Sequence, residues 1–265
     1  MLTSVQNPLV KQMRKLQRAK ERREQQLFLL EGTHLLEEAY AVNLPLVTVC
    51  CTSAWQTQHA ALWEQIRQRA QRAELVSPEV LEAITTTVQP DGVVATAQRV
   101  SVNPPTEQLR LGLALETLQD PGNLGTVIRT AAAAGADGLW LSADSVDLDH
   151  PKVLRASAGQ WFRLPMGVST DLRSQVQQFR QQGVQVVATL LSATQTYWQA
   201  DLTQPTLILL GNEGAGLSAE LAELADLAVK IPLAAGVESL NVAIAAALIL
   251  YEAQRQRAEA IGQKQ

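Results

Sequence analysis

The sequence predicts an α/β protein in two parts, a small mixed domain over residues 1–100 and a larger parallel-sheet domain over residues 109–265. Three observations lead there. From residue 111 onward, continuous Val/Leu/Ile runs alternate with helical patterns, as in a parallel sheet covered on both faces. A tighter alternation of strands and helices fills the first hundred residues. Between them, Ser101-Val102-Asn103-Pro104-Pro105-Thr106 carries adjacent prolines, which stiffen an extended linker placed at 101–108.

In the first part, Val5, Leu9, Met13 and Leu16 fall at helical spacing within residues 4–26. Phe28-Leu29-Leu30-Glu31-Gly32 reads as a strand ending in a turn, and Thr33 as the cap of a helix to Tyr40. Leu46 to Cys51 is a strand, Ala60 to Arg72 a helix and Glu74 to Val76 a short strand. Ser77-Pro78-Glu79 opens another helix, with Ser at the cap and Pro at the first helical position. Val93 to Ala97 is the last strand of this compact sandwich.

In the second part, Leu111 to Glu116 is a strand and Leu124 to Ala134 a helix stopped by Gly135. Gly138 to Ser142, Val184 to Leu190, Leu207 to Leu210 and Ala228 to Ile231 are strands. Arg173 to Gln182 and Ser218 to Ala225 are helices, and Ser239 caps a closing helix that runs to about Arg257.

The chain carries a formal net charge of −4, unevenly spread. Residues 1–26 hold seven basic residues, Lys11, Arg14, Lys15, Arg18, Lys20, Arg22 and Arg23, against Glu21 and Glu24. A basic arm on an acidic body points to a local polyanionic partner, and a solvated helix face is the plainer alternative. Cys50 and Cys51 are neighbours, so no disulfide framework exists, and they read as small buried residues. Val242 to Tyr251 is too short an apolar run for a bilayer, which takes about 20 residues. No signal peptide is visible, and a cytoplasmic protein without membrane contact is expected.

Three short runs carry the chemistry. The first is Gln119-Asp120-Pro121-Gly122-Asn123-Leu124-Gly125, continuing through Arg129. Asn123 is the expected N-cap, at a helix end that attracts an anion such as phosphate. The second is Gly211-Asn212-Glu213-Gly214-Ala215-Gly216 after an apolar strand, where glycine lets backbone approach a ligand. Glu213 reads equally as a functional carboxylate or as a pin accepting backbone N–H bonds. The third joins Ile231-Pro232-Leu233 to Ser239-Leu240-Asn241. Each run lies at a strand's carboxyl end or a helix start, where open α/β sheets bind ligands. None matches the dinucleotide pattern G-x-G-x-x-G, which disfavours a nicotinamide-dependent oxidoreductase.

In this order and spacing the three runs resemble the motifs of the SpoU (TrmH-like) family of the SPOUT superfamily. Pro151-Lys152-Val153-Leu154-Arg155-Ala156-Ser157-Ala158-Gly159 resembles the family's intervening segment. Ser4 to Pro8 and Phe28 to Gly32 resemble the small ribosomal-protein-like RNA-recognition domain that precedes many of its catalytic domains. Asn212 stands where the family varies. The resemblance implies a C-terminal trefoil knot, a homodimer, and S-adenosylmethionine held by Gly211, Ile231 and Leu240. It implies methyl transfer to a ribose 2'-OH of structured RNA, ribosomal RNA ahead of tRNA, without a metal.

The resemblance also places Asn123, Arg129, Glu213, Ser239 and Asn241 in the catalytic set. In the family the arginine matching Arg129 is proposed as general base. Arginine's pKa of about 12.5–13.8 keeps it protonated, so a grip on phosphate and developing alkoxide charge is the better physical role. His34, His59 and His150 lie outside the motifs. A non-catalytic RNA-binding protein of the same fold is the competing class.

Overall fold

The computed structural model describes residues 1–99 and 108–262. The expected linker at 101–108 lies outside these except for Gln108. The chain divides into two compact units, one of Met1–Val100 with Asp147–Phe162, the other of Ser101–Val146 with Arg163–Gln265. The division therefore departs from a single cut at the linker, because a segment from the middle of the larger domain's sequence belongs to the smaller unit.

Elements are numbered along the chain. The first unit holds α1 (Pro8–Lys15), α2 (Ala19–Gln25), β1 (Leu27–Glu31), α3 (Thr33–Ala41), β2 (Leu46–Cys51), α4 (Ser53–Gln58), α5 (Ala60–Arg69), β3 (Ala70–Leu75), α6 (Pro78–Ile84) and β4 (Val93–Gln98). Its sheet has the order β1-β4-β2-β3. Side chains alternate across it. Leu29, Cys50 and Val94 face α1 and α6, while Phe28, Leu30, Cys51 and Val93 face the layer that contains Trp55 and Ile66. Cys50 and Cys51 thus point to opposite faces, and burial pushes both thiols up to about 12, which leaves them unreactive.

Asn7 caps α1 by accepting from the Leu9 N–H (2.9 Å), and Ser77 caps α6 by accepting from the Val80 N–H (3.4 Å). The helical spacing over residues 4–26 does not give one helix. The chain breaks after α1, and the Leu16 and Gln17 carbonyls turn to accept from Arg22 Nη1 (both 3.2 Å). The helix expected to Arg72 stops at Arg69, since Ala70 already pairs with Leu46 as the first residue of β3.

Arg22 is 1% exposed. It donates through Nη2 to Asp147 (2.8 Å) and through Nε to Asp149 (3.0 Å), in the segment 147–162. Arg23 also pairs with Asp147 and Arg99 with Asp149. Further along this segment, Arg155 pairs with the buried Glu31, which also accepts from the Thr86 N–H (3.0 Å). Burial pushes the Glu31 carboxyl up, against the opposing pull of Arg155 and Thr86. Trp161 packs its ring on Phe28 at 5.2 Å.

The second unit begins with β5 (Leu111–Leu115), α7 (Pro121–Ala133) and β6 (Gly138–Ser142). The chain then gives α8 (Pro151–Ala156) to the first unit. It returns as β7 (Met166–Ser169), α9 (Leu172–Gln181), β8 (Gln185–Thr189), β9 (Gln195–Thr196), β10 (Thr206–Leu210), α10 (Ala219–Ala222), β11 (Leu227–Lys230) and α11 (Val242–Gly262). The sheet order is β7-β6-β5-β10-β8-β11-β9, and every pairing is parallel. The fully buried strands β5 and β10 explain the unbroken apolar runs of the sequence.

This order places the motifs. β5 and β10 are neighbours, with Leu115 opposite Leu210, so the first two runs leave the sheet side by side. From β5 the chain winds outward to β6 and β7, whereas β8 and β11 lie on the other side of β10. The two runs thus meet at the switch point, where an open parallel sheet leaves a crevice. α11 packs on α7 and brings the third run to the same end.

Candidate active site

The first motif opens α7, but its cap is Asp120. The Asp120 Oδ1 accepts from the Gly122 N–H (2.7 Å) and the Asn123 N–H (2.9 Å), and Pro121 occupies the first helical position. The expected cap Asn123 is instead the third helical residue, with its carboxamide free for other partners. Because a carboxylate of the chain already satisfies these N–H groups, this helix end does not present the open phosphate site that the sequence suggested. Ser239 is displaced from its expected role in the same way. Asn241 Oδ1 accepts from the Ala243 N–H (2.9 Å) and caps α11, while Ser239 is exposed two residues earlier.

Asn123 joins the three motifs. Its Nδ2 donates to Glu213 Oε1 (3.2 Å), and its Oδ1 accepts from Asn241 Nδ2 (2.8 Å). Glu213 also accepts from the Asp120 N–H at Oε1 (3.1 Å) and the Gln119 N–H at Oε2 (3.3 Å). Partial burial pushes the Glu213 carboxyl up, but its own backbone N–H together with the Asn123, Asp120 and Gln119 donors outweighs it and holds the group below the usual carboxylate range. Glu213 thus accepts from both backbone N–H groups of the 119–120 turn.

Gly211, Ile231 and Leu240 come together. They line one cavity of about 210 Å³, with Glu213 and Ser239 also on its wall. At Gly211 a Cβ would lie 2.1 Å from the Gly216 carbonyl carbon and the Leu217 nitrogen. Glycine is required there because the loop closes on its own backbone. Thr189, the last residue of β8, and Leu191 beyond it form part of the same wall. The buried Thr189 hydroxyl oxygen has no partner among the described residues. Sequence reading placed β8 but gave its end no role; the signal was an apolar strand closing on a polar residue, as in the other runs.

Arg129 stands on α7, exposed, and its guanidinium makes no hydrogen bond or ion pair with any described residue. The site therefore combines an apolar pocket edged by backbone, a fixed carboxylate and two fixed carboxamides, with one uncommitted cation on the same helix as Asn123.

Residues 110–251 match the SpoU rRNA Methylase family, and residues 7–95 match the MRM3-like substrate binding domain. The chain is 49% identical over 257 residues to an uncharacterized tRNA/rRNA methyltransferase of Synechocystis sp., covering 97% of this chain and 94% of that protein. It is 36% identical over 253 residues to the 23S rRNA (guanosine(2553)-2'-O)-methyltransferase RlmP of Bacillus subtilis, covering 94% and 97%. Its fold is similar to that of the AdoMet-bound rRNA methyltransferase from Sinorhizobium meliloti, with a TM-score of 0.84, 34% identity and coverage of 96% and 97%. The chain belongs to the SpoU rRNA methylase family.

Proposed function

We propose that this chain methylates a ribose 2'-OH of ribosomal RNA with S-adenosylmethionine held in the 210 Å³ cavity. The observation that carries this reading is the convergence of Gly211, Ile231 and Leu240 on one pocket beside the Asn241–Asn123–Glu213 chain. The names of the relatives and the match to a substrate-binding domain support ribosomal RNA as the substrate. The cytoplasm, where ribosomal RNA is assembled, is the compartment we assign.

The pocket residues fit this cofactor. Its wall is largely apolar side chain and loop backbone, suited to an adenosine held by main-chain groups, and the Thr189 hydroxyl has a bond left to make. The cofactor supplies a methyl group made electrophilic by a positively charged sulfur. The chain's residues must then align the ribose oxygen with that carbon and ease the loss of its proton. Arg129 grips a phosphate next to the target ribose and stabilises charge on the 2'-oxygen as its proton passes to water. Asn123, Glu213, Ser239 and Asn241 orient the arginine's helix and the substrate. Transfer of radiolabelled methyl to bulk RNA, with ribose methylation mapped in cells with and without the gene, tests the reading. RNA binding without any transfer would favour the non-catalytic alternative.

The same reading includes the family's knot and dimer. β10 lies between the earlier strands β5 and β8, so the chain after β8 must re-enter the middle of the sheet, which supports a knotted C-terminal segment. Ile244 and Tyr251 on α11 are 50% and 49% exposed, and with Tyr197 and Leu248 they edge an apolar groove. A second copy covering this groove is the expected state. Sedimentation should show a dimer at micromolar concentration and a monomer for Ile244→Glu. A fully active wild-type monomer would remove the dimer from the proposal.

RNA is expected on the basic face of α1. Lys11, Arg14, Lys15 and Arg18 are exposed, unlike Arg22. Deleting the first 26 residues would not test this, since Val10, Met13 and Leu16 belong to the core. Changing the four exposed residues to Gln should weaken RNA binding and flatten its salt dependence, by up to about 3 in log–log slope for single-stranded contacts. Cofactor affinity should not move. An unchanged slope would show a merely solvated face.

A further inference from the structure

We propose that Asn212 is a positioning residue that preassembles the cofactor pocket by tying the glycine loop to the turn ahead of α7. The proposal rests on the reading of that pocket given above. Asn212 Oδ1 accepts from the Gly214 N–H (2.8 Å) and the Ala215 N–H (3.0 Å), inside its own loop. Its Nδ2 crosses to the first motif and donates to the Thr117 carbonyl (2.8 Å). Its backbone closes the loop in both directions, N–H to the Gly216 carbonyl and carbonyl from the Gly216 N–H (both 3.0 Å).

Thr117 is a fixed point for this tie. Its φ is +54°, a left-handed conformation unusual for a threonine. It is held there by its N–H, donated to Ser142 Oγ (2.7 Å), and by its hydroxyl, donated to Asp144 Oδ2 (2.8 Å). The far end of the loop is also fixed, as the Ser218 N–H donates to Glu116 Oε2 (2.7 Å). Residues 212 and 213 therefore hold the 117–120 turn at both ends, Asn212 through the Thr117 carbonyl and Glu213 through the 119 and 120 N–H groups. The turn leads directly into the helix of Arg129.

Only an amide does what Asn212 does. Aspartate keeps the acceptor for the loop N–H groups but loses the donor and sets a carboxylate against a carbonyl. Serine can accept from one N–H group but does not span to Thr117. Loss of this single tie should let the loop sample conformations that do not bind ligand, which lowers affinity in proportion to the competent fraction.

The test uses the full chain, with calorimetry of S-adenosylhomocysteine binding and steady-state methyl transfer at saturating RNA. Asn212→Asp should weaken binding about tenfold, one hydrogen bond's worth, and Asn212→Ala by at least as much. KM for the cofactor should follow, while kcat at saturating cofactor stays within about twofold. Asn212→Asp decides the matter if Asn212→Ala fails to fold. Unchanged affinity in Asn212→Asp, or a loss of kcat at unchanged affinity, would overturn the proposal. Leu240→Asp serves as the pocket control. Full binding by Leu240→Asp would mean the cavity is not the cofactor site, and the proposal would go with that reading. Lost binding there with normal binding by Asn212→Asp would overturn this proposal alone.

Discussion

Arg129→Lys should lose methyl transfer by a factor on the order of 10²–10³ at every pH, the cost of removing one donor that meets developing oxyanion charge. Lysine keeps the charge but lacks the planar two-pronged donor set that fits a phosphate. Cofactor affinity should be unchanged, since Arg129 is not part of the pocket wall. The measurement is a pH–rate profile under single turnover with saturating RNA. If the residue at 129 served as general base, lysine, with a reference pKa of about 10.4, would deprotonate more readily than arginine and recover activity as pH approaches 10. Such a recovery would refute the clamp. The exposed guanidinium, without a partner among the described residues, suits a group waiting for substrate phosphate.

Arg22→Ala should destabilise the protein by about 3 kcal/mol, the low end for breaking a buried ion pair, since Arg23 and Arg99 still face the two carboxylates. The side chain is 1% exposed, and its loss takes one buried partner from each of Asp147 and Asp149, which keep Arg23 and Arg99, and leaves the Leu16 and Gln17 carbonyls without their donor. Urea or thermal unfolding measures it, with a drop of about 10 °C expected in the midpoint. A change under about 1 kcal/mol for Arg22→Ala would show that water reaches the cluster and screens it.

The sequence made β5, β6, β8 and β10 legible because these strands are apolar and largely buried, whereas β7 and β9, short and partly exposed, gave no such signal. The pocket was legible for a related reason. Glycine, proline and asparagine at strand ends mark turns, and the parallel order brings those turns to one edge. Gly211, Ile231 and Leu240 accordingly meet, and the family resemblance holds. The cap of α6 was read correctly at Ser77, but those of α7 and α11 were misplaced by three and two residues. In Asp120-Pro121-Gly122-Asn123 either polar residue can cap, and the proline after Asp120 was the deciding signal. Arg22 was not legible at all. Its carboxylate partners lie more than a hundred residues away, and in the local sequence it looks like every other charge of the arm.

The assignment of Asp147–Phe162 to the first unit bears on biosynthesis. A nascent chain that has released residues 1–100 from the ribosome still lacks the carboxylates that neutralise Arg22 and Arg99. At about 5–20 residues per second, that wait lasts seconds. The first unit therefore cannot complete its ion pairs until the chain has been made through Asp149. The amino-terminal sheet can form early, but its ionic cluster is sealed only after β6 of the catalytic half has been made. Slowing translation between codons 100 and 162 should prolong a protease-sensitive intermediate in which α2 is not yet tied down by Asp147 and Asp149.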